Sequence, residues 1–370
     1  MIDRHVFALI AVSILLLGCT AQPPLPEQQK TPWQEPVSPP VQEPKITGQP
    51  PAPAAGQEPQ ETPLPAVQPL TPEQQPPQPN QANATAAPAE FNPALAGSPH
   101  PKVKQPSYPP CCSHPYYHEV YRAFSSDGVS WQKEGTLVKD KASVPAILQK
   151  DDGTFILYYV DGEYDTIDCS VSQDGKAFSP GNCTIYGFTE QKAWDPYVVN
   201  LGNGSYKMYY FTPPSDLFGE SKNQIRSAIS KDGIKWLQED GVRFEYNGIL
   251  DPVVIKMEDT WRMYAWYMGK GNEPGNSVMV SATSQNGLDF AFEKEFNVGG
   301  GIPEVVKLDS GKYALYVCSG GITMFTSADG LSWSGGKVVV SPAQSEKIVC
   351  DPTVIKMDSG RWAMYYKTQG

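Results

Sequence analysis

Short runs of apolar and aromatic residues alternate with polar turns along residues 111–370, and the pattern recurs about every 50 residues. Each repeat opens with a proline followed by two or three aliphatic residues, then a turn, then a run rich in tyrosine or tryptophan. The prolines are spaced 51, 56, 51 and 49 residues apart. Runs this short, with β-branched and aromatic residues, predict strands rather than helices. The five copies begin at Val144-Pro145, Asp195-Pro196, Asp251-Pro252, Ile302-Pro303 and Asp351-Pro352.

A second motif, Ser-x-Asp/Asn-Gly-x-x-aromatic, alternates with the first. Asp-Gly and Asn-Gly between apolar runs predict tight hairpin turns, because both residues tolerate a positive φ. The aromatic residue three positions after the glycine is expected to pack back over the hairpin. Its five copies begin at Ser125, Ser172, Ser230, Ser284 and Ser327.

Each repeat therefore holds two hairpins, or four strands, which is the content of one propeller blade. Five repeats predict an all-β, five-bladed β-propeller over residues 111–370. The chain ends after the second strand of the fifth repeat, so strands within residues 118–139 are expected to complete the last blade and close the ring. A β-sandwich would fit the strand content but not the regular period.

The first 110 residues differ in composition, holding 26 of the 37 prolines. Residues 1–19 have a charged start and an apolar stretch too short to span a bilayer, which predicts a secretory signal peptide. The segment ends Leu16-Leu17-Gly18-Cys19 and resembles the lipobox of prokaryotic lipoproteins. That resemblance implies lipidation of Cys19; alternatively Cys19 is incidental to an ordinary signal. Residues 20–110, rich in Pro and Gln, predict a disordered tether.

Charge and cysteine content narrow the function further. A net charge of −11 and a pI near 4.9 argue against nucleic acid, which needs clustered Lys and Arg. No metal-ligand spacing or phosphate-binding loop is present, so we expect no metal and no cofactor. An exported, lipid-anchored monomer is the expected state.

The six cysteines after Cys19 suggest disulfides, with 15 possible pairings. The favoured pairs are Cys169–Cys183 and then Cys318–Cys350, leaving Cys111 and Cys112.

The two motifs together resemble those of the five-bladed propeller glycosidases of the arabinanase/β-xylosidase and invertase/levansucrase type. The resemblance implies a site at one end of the central channel, with an aspartate as base or nucleophile, a second aspartate that tunes and orients, and a glutamate as general acid. Read in order, these are Asp195, Asp251 and Glu304. Glu304 follows its proline rather than preceding it, so its side chain is expected on the opposite face of its strand.

Further candidates lie near the same end of the channel. Asp351 shares the Asp-Pro position, although aspartate before proline can equally cap the turn that enters a strand. Loop carboxylates and aromatic residues there could bind sugar, with core packing as the competing explanation for the aromatics. The loop carboxylates are Glu163, Asp165, Asp168 and Glu273, and the aromatics are Trp194, Tyr197, Tyr164, Trp266 and Tyr267.

Three functions remain open from these observations. The first is a cell-surface enzyme that hydrolyses glycosidic bonds of an extracellular glycan. The second is a non-catalytic glycan-binding or adhesion propeller that uses the same face. The third is a purely structural surface protein whose channel is filled by side chains, since one fold serves many functions.

Overall fold

The structure, a computed structural model, describes residues 98–108, 114–188, 192–213, 222–268 and 277–369. Five sheets surround a central channel, all antiparallel except for one parallel outer pair in blade 2, which confirms the predicted five-bladed β-propeller. The innermost strands touch in a closed cycle, β3 to β8, β8 to β13, β13 to β17, β17 to β21 and β21 back to β3. Several features predicted from the sequence lie outside the described residues: the signal peptide, Cys19, residues 20–97, Cys111 and Cys112.

The strands of each blade are given from the channel outward. Blade 1 contains β3 (Ala142–Gln149), β4 (Phe155–Asp161), β5 (Thr166–Ser172) and β6 (Ser179–Pro180). Blade 2 contains β8 (Trp194–Gly202), β9 (Ser205–Thr212), β10 (Asn223–Ser230) and β11 (Lys235–Gln238), with β7 (Thr184–Tyr186) and β12 (Phe244–Tyr246) at its outer side. Blade 3 contains β13 (Ile249–Met257), β14 (Thr260–Met268), β15 (Ser277–Ser284) and β16 (Ala291–Phe296). Blade 4 contains β17 (Gly301–Lys307), β18 (Tyr313–Cys318), β19 (Ile322–Ser327) and β20 (Ser334–Val340). Blade 5 contains β21 (Ile348–Lys356), β22 (Trp362–Gln369), β1 (Glu119–Ser125) and β2 (Gln132–Asp140).

The two ends of the propeller domain meet in blade 5. Strand β1 pairs antiparallel with β22 along its whole length, from Glu119 opposite Thr368 to Ser125 opposite Trp362. This confirms that the N-terminal strands complete the last blade. Closure covers the backbone edges of both strands, which would otherwise be open to pairing with another chain.

Two disulfides join successive blades. Cys169 of β5 pairs with Cys183, just before β7, and β7 in turn runs parallel to β11 of blade 2. Cys318, at the end of β18, pairs with Cys350 of β21 and so links blades 4 and 5. Both favoured pairings are therefore confirmed.

The two repeated motifs bind each other across every blade boundary. A tyrosine in the second strand of each blade donates its hydroxyl hydrogen to the carbonyl of the turn glycine of the next blade. The aromatic residue that ends the glycine motif packs edge-on or tilted against the same tyrosine. The five pairs are Tyr158–Gly233, Tyr209–Gly287, Tyr264–Gly330, Tyr316–Gly128 and Tyr365–Gly175.

Glycine is required at these turns for two reasons. Gly330 has a φ of +72°, and a β-carbon there would stand 2.7 Å from the Tyr264 hydroxyl oxygen. Gly175 has a φ of +66°, and a β-carbon there would stand 2.8 Å from the Tyr365 hydroxyl oxygen. The left-handed backbone and the close approach of the neighbouring blade both favour a residue without a side chain.

Residues 98–108, which composition assigns to the tether, contact blade 1. The backbone N–H of Gln105 donates to the Glu163 carbonyl at 2.8 Å, and Lys102 pairs with Asp168 at 2.7 Å. The His100 ring stacks on Phe188 with centroids 4.2 Å apart. The boundary at residue 110 is therefore too late, because proline-rich composition does not prevent lysine and aromatic side chains from packing. In the described ranges, no helix is long and apolar enough to cross a membrane.

Candidate functional site

The residue before the proline has the same unusual backbone in all five blades. Its φ is positive, and the pairing register with the next strand skips this residue and the proline. The proline thus lies in a bulge inside the strand, where its missing N–H removes no hydrogen bond from the ladder. The φ values are 47° at Val144, 51° at Asp195, 50° at Asp251, 55° at Ile302 and 47° at Asp351.

This conformation gives aspartate a structural reason to occur before the proline. Aspartate enters the left-handed region more readily than most residues, whereas β-branched residues are outliers there. Val144 and Ile302 therefore hold a strained backbone at the two positions that lack aspartate. The conformation alone does not account for the charge, since asparagine would serve as well.

Three aspartates meet at one end of the channel. Asp195, Asp251 and Asp351, which we call the aspartate ring, line one cavity with Val144, Ile302 and the five prolines. The cavity volume is about 20 Å³, which is room for one water molecule. A sugar unit would therefore have to bind above the aspartate ring, at the mouth of the channel.

Glu304 faces the channel, contrary to the sequence-based expectation. The bulge at Ile302 and Pro303 interrupts the alternation of faces along the strand on which that expectation relied. Its side chain bonds to Tyr197 of blade 2 and Thr353 of blade 5, so it reaches across the channel one layer below the aspartate ring. Glu304 is only 2% exposed.

Asp351 is held by a buried lysine. Its Oδ2 lies 2.7 Å from Lys367 Nζ and accepts hydrogen bonds from the Val144 N–H at 3.2 Å and the Ser143 hydroxyl at 3.4 Å. The side chains of Lys367 and Asp351 are 8% and 1% exposed. Asp351 and Lys367 therefore form a buried ion pair, the arrangement in which buried charged side chains are usually found.

Asp195 and Asp251 are adjacent and share a different environment. The Asp251 N–H donates to Asp195 Oδ2 at 3.4 Å, as the Val144 N–H does to Asp351. Burial raises the pKa of Asp195 to about 7, against the opposing hydrogen bond from Asp251. Burial, followed by the charges of Asp195 and Asp351, raises the pKa of Asp251 well above its ordinary value. At neutral pH this pair therefore keeps a proton beside the charged Asp351.

Glu304 also binds its proton more tightly than an exposed glutamate does. Burial raises its pKa well above the ordinary value, although hydrogen bonds from the Val354 backbone and from the Thr353 and Tyr197 side chains partly oppose this. Burial and the nearby Glu304 also raise the pKa of Tyr197.

The loop carboxylates of blade 1 are occupied by lysines. Glu163 bonds to Lys141 at 2.8 Å and to Lys104 at 3.4 Å. Asp165 is paired with Lys192, and Asp168 with Lys102. Their charges are thus neutralised within the protein, which disfavours a direct role on a substrate. Tyr164 is half-buried in the same turn, and Glu273 lies outside the described residues.

The candidate aromatic residues divide into core and rim. Trp266 packs against Gly301, where a β-carbon would stand 2.5 Å from its Nε1, so it belongs to the packing between blades 3 and 4. Tyr267 packs edge-on against Tyr246 with centroids 5.6 Å apart. Trp194, next to Asp195, is half-buried and donates from Nε1 to the Asp165 carbonyl at 3.0 Å. Of these three, only Trp194 borders the aspartate ring.

Lys367, Ser143 and Thr353 were not identified from the sequence. Lys367 follows Tyr365-Tyr366 in a strand whose residues are all buried. A lysine inside such a run is a sign of a buried ion pair, because lysine is almost never buried without a partner. Ser143 and Thr353 carry no comparable signal. Over the described ranges, no group of three or more His, Cys, Asp and Glu residues is placed to hold a metal ion.

Comparison with known proteins supports the fold and not a particular reaction. No protein-family model and no curated protein matches this chain. A thermostable family-43 glycoside hydrolase is similar in structure, with a TM-score of 0.50 and 14% identity over 61% of this chain and 87% of that one. An N-acetylgalactosamine deacetylase from F. plautii, in complex with blood group B trisaccharide, has a TM-score of 0.51 and 13% identity over 68% of this chain and 96% of that one. Identities this low show a shared fold, and the two proteins catalyse different reactions.

Proposed function

We propose that this protein hydrolyses glycosidic bonds of an extracellular glycan at the aspartate ring. The observation that carries the proposal is the pair of Asp195 and Asp251, which keeps a proton at neutral pH next to the charged Asp351. Hydrolysis of an acetal needs a carboxylic acid at the leaving oxygen and a carboxylate on the other side. A site that only binds sugar has no need of carboxyl groups with such different proton affinities.

The environments of the three aspartates suggest their roles. Asp251, whose pKa is raised by burial and by two neighbouring carboxylates, serves as the general acid. Asp195, with a pKa of about 7, serves as the base, and the water-sized cavity beside it suits a hydrolytic water. Asp351, bound to Lys367, supplies the fixed negative charge. Glu304 lies below the aspartate ring, which disfavours the general-acid role that the resemblance implied.

We further propose that the protein is exported and anchored at the cell surface through a lipid on Cys19, with residues 20–97 as the tether. Support comes from the signal-like N-terminus and from the two disulfides, which form and persist in oxidising compartments. The glycan would then be an exposed polysaccharide outside the cell.

A non-catalytic glycan-binding propeller is the second candidate. It is favoured by the backbone role of two aspartates, since Asp195 and Asp351 each accept an N–H from the next blade. It is also favoured by the small cavity of about 20 Å³, which leaves no room for a sugar inside the aspartate ring.

Release of reducing sugar from a panel of polysaccharides and aryl glycosides tests the two candidates. We expect the full-length protein to release sugar and Asp251→Asn to lose roughly 100-fold or more of that activity, because general acid catalysis contributes about that much. Asp289→Asn, an exposed aspartate, is the matched control and should retain it. Release that survives in Asp251→Asn would contradict the assignment, and glycan binding without release in any of the three proteins would identify a binding module.

A further inference from the structure

The channel contains a second cavity, at the end opposite the aspartate ring. It extends from Tyr197, Glu304 and Thr353 in the middle of the channel to Gln149 and Asn200. Gln149 ends β3 and Asn200 is near the end of β8, whereas the aspartate ring lies near the beginning of the innermost strands. We call this space the lower cavity and the space among the aspartates the ring cavity.

The two cavities differ in size, and Glu304 lies between them. The lower cavity has a volume of about 180 Å³, which leaves room for several water molecules. The ring cavity has about 20 Å³. Glu304 and Tyr197 line both cavities, so Glu304 is a buried acid with space for water on either side.

The lining of the lower cavity is suited to hold water. Polar groups along its length are the Tyr197 and Thr353 hydroxyls, the Glu304 carboxyl, and the Gln149 and Asn200 amides, and the other lining residues are apolar. The Gln149 amide donates to Asp358 and the Asn200 amide donates to Asp151, so each amide keeps one further N–H donor for water. Cavities keep water where each molecule finds two to four polar partners, and they stay dry where the walls are apolar. Asn200 is exposed, so the row of polar groups reaches solvent at the far end.

We propose that the lower cavity holds a chain of water molecules that conducts protons between solvent at the far end and Glu304, and that Glu304 exchanges protons with the aspartate ring. This inference rests on the proposed function. After one hydrolytic turn the acid has lost a proton to the leaving oxygen and the base has gained one from water. Resetting the site moves one proton from Asp195 to Asp251, with no net change in the number of protons that the site holds. The lower cavity allows this transfer while sugar occupies the mouth.

The transfer balances without any co-reactant. Glu304 gives its proton toward the ring cavity and takes another from the lower cavity, so its O–H bond on one side breaks as one on the other side forms. The reverse sequence removes a proton from the aspartate ring. No charge has to be stored in the middle of the channel, where an unpaired carboxylate would be costly.

Hydrogen–deuterium exchange of the Glu304 carboxyl tests the proposal without substrate. The infrared stretch of the protonated carboxyl is followed in the full-length protein after transfer to D₂O, and Glu304→Gln identifies the band. Ala146→Leu adds volume to the lower cavity, because Ala146 lines that cavity and not the ring cavity. Val253→Ile is the matched control, because Val253 lines only the ring cavity.

We expect rapid exchange in the wild-type protein and in Val253→Ile. Exchange in Ala146→Leu should be several-fold slower, because it must then rely on the ring cavity alone or on local opening of the fold. Circular dichroism and thermal unfolding verify that each variant is folded; if Ala146→Leu unfolds, Val198→Ile fills the same cavity by one methylene. Three results would overturn the proposal. They are unchanged exchange in a folded variant whose lower cavity is filled, slower exchange in Val253→Ile alone, and the absence of an infrared band from Glu304. None of these outcomes depends on glycosidase activity, so the two proposals can fail separately.

Discussion

Replacing Asp195 by asparagine is expected to stabilise the fold at neutral and alkaline pH. Asparagine tolerates the left-handed backbone at this position, where φ is 51°, and its amide oxygen can still accept the Asp251 N–H. The substitution therefore removes the charge and leaves the geometry in place. The raised pKa of Asp195 means that its ionisation opposes folding.

The pKa of Asp195 gives the size and the pH range of the effect. A pKa raised from 3.8 to about 7 corresponds to roughly 4 kcal/mol at about 1.4 kcal/mol per unit. Asp195 is partly exposed and titrates together with Asp251, so we expect about 2 kcal/mol. In the unfolded chain the carboxyl ionises near about pH 4, whereas in the folded protein it ionises near about pH 7. The wild-type protein should therefore lose stability as the pH rises between these values, and Asp195→Asn should lose less, because only Asp251 and Glu304 then ionise against burial.

Urea unfolding followed by tryptophan fluorescence measures this difference. The free energies of unfolding of the two proteins should be equal near about pH 4 and should differ by about 2 kcal/mol near about pH 8, with Asp195→Asn the more stable. Asp289→Asn controls for the loss of a negative charge at an exposed site. A gain that is the same at both pH values, or a variant that is less stable near pH 8, would refute the argument from burial.

Three further predictions concern stability. Lys367→Met should lower the free energy of unfolding by about 3–5 kcal/mol at neutral pH, because it leaves the buried Asp351 without its cation, and the added change Asp351→Asn should recover much of the loss. Tyr264→Phe should lower the free energy of unfolding by about 1–3 kcal/mol, because a buried carbonyl of the next blade loses its hydrogen bond. Replacing both Cys318 and Cys350 by serine opens a loop with a sequence separation of 32 and should cost about 2–4 kcal/mol.

Each of the three is measured by urea unfolding, with its own control. For Lys367→Met the control is Lys337→Met on the exposed surface, and a loss under about 1 kcal/mol would show that the pair is not effectively buried. For Tyr264→Phe the control is the exposed Tyr117→Phe, which should be neutral. For the cysteines, a reductant should destabilise the wild-type protein and leave the double variant less affected, whereas equal sensitivity would contradict the assigned role.

The number of blades and the closure of the ring could be predicted from the sequence because both depend on local signals. Asp-Gly turns, such as the one at Gly330, need only the conformational freedom of a few neighbouring residues. The period of about 50 residues follows from repeating such turns, and the missing strands of the last repeat had to come from the other end. The disulfide between Cys318 and Cys350 could be anticipated in the same way, because Cys318 ends the inner strand pair of blade 4 and Cys350 lies near the start of the inner strand pair of blade 5.

The orientation of Glu304 was predicted wrongly because its position was counted from the proline. The bulge at Ile302 breaks the alternation of faces between the proline and Glu304, and it is visible only in the dihedral angles and the strand register. The aspartate at Asp195 was equally ambiguous in the sequence. Its left-handed backbone explains the residue type, and its proton affinity depends on burial and on the neighbouring Asp251 and Asp351.

The sequence alone was therefore enough for the repeat, the blade and the positions of the three aspartates, since these follow from short-range turn and strand preferences. The chemistry of the site depends on contacts between distant residues. Val144 donates to Asp351 across a sequence separation of 207. Lys367 lies beside Asp351 in the hairpin of β21 and β22, and the two side chains are buried only when the blades close around them. Such contacts arise when the blades close around the channel, and that closure sets the burial and charge on which each pKa depends.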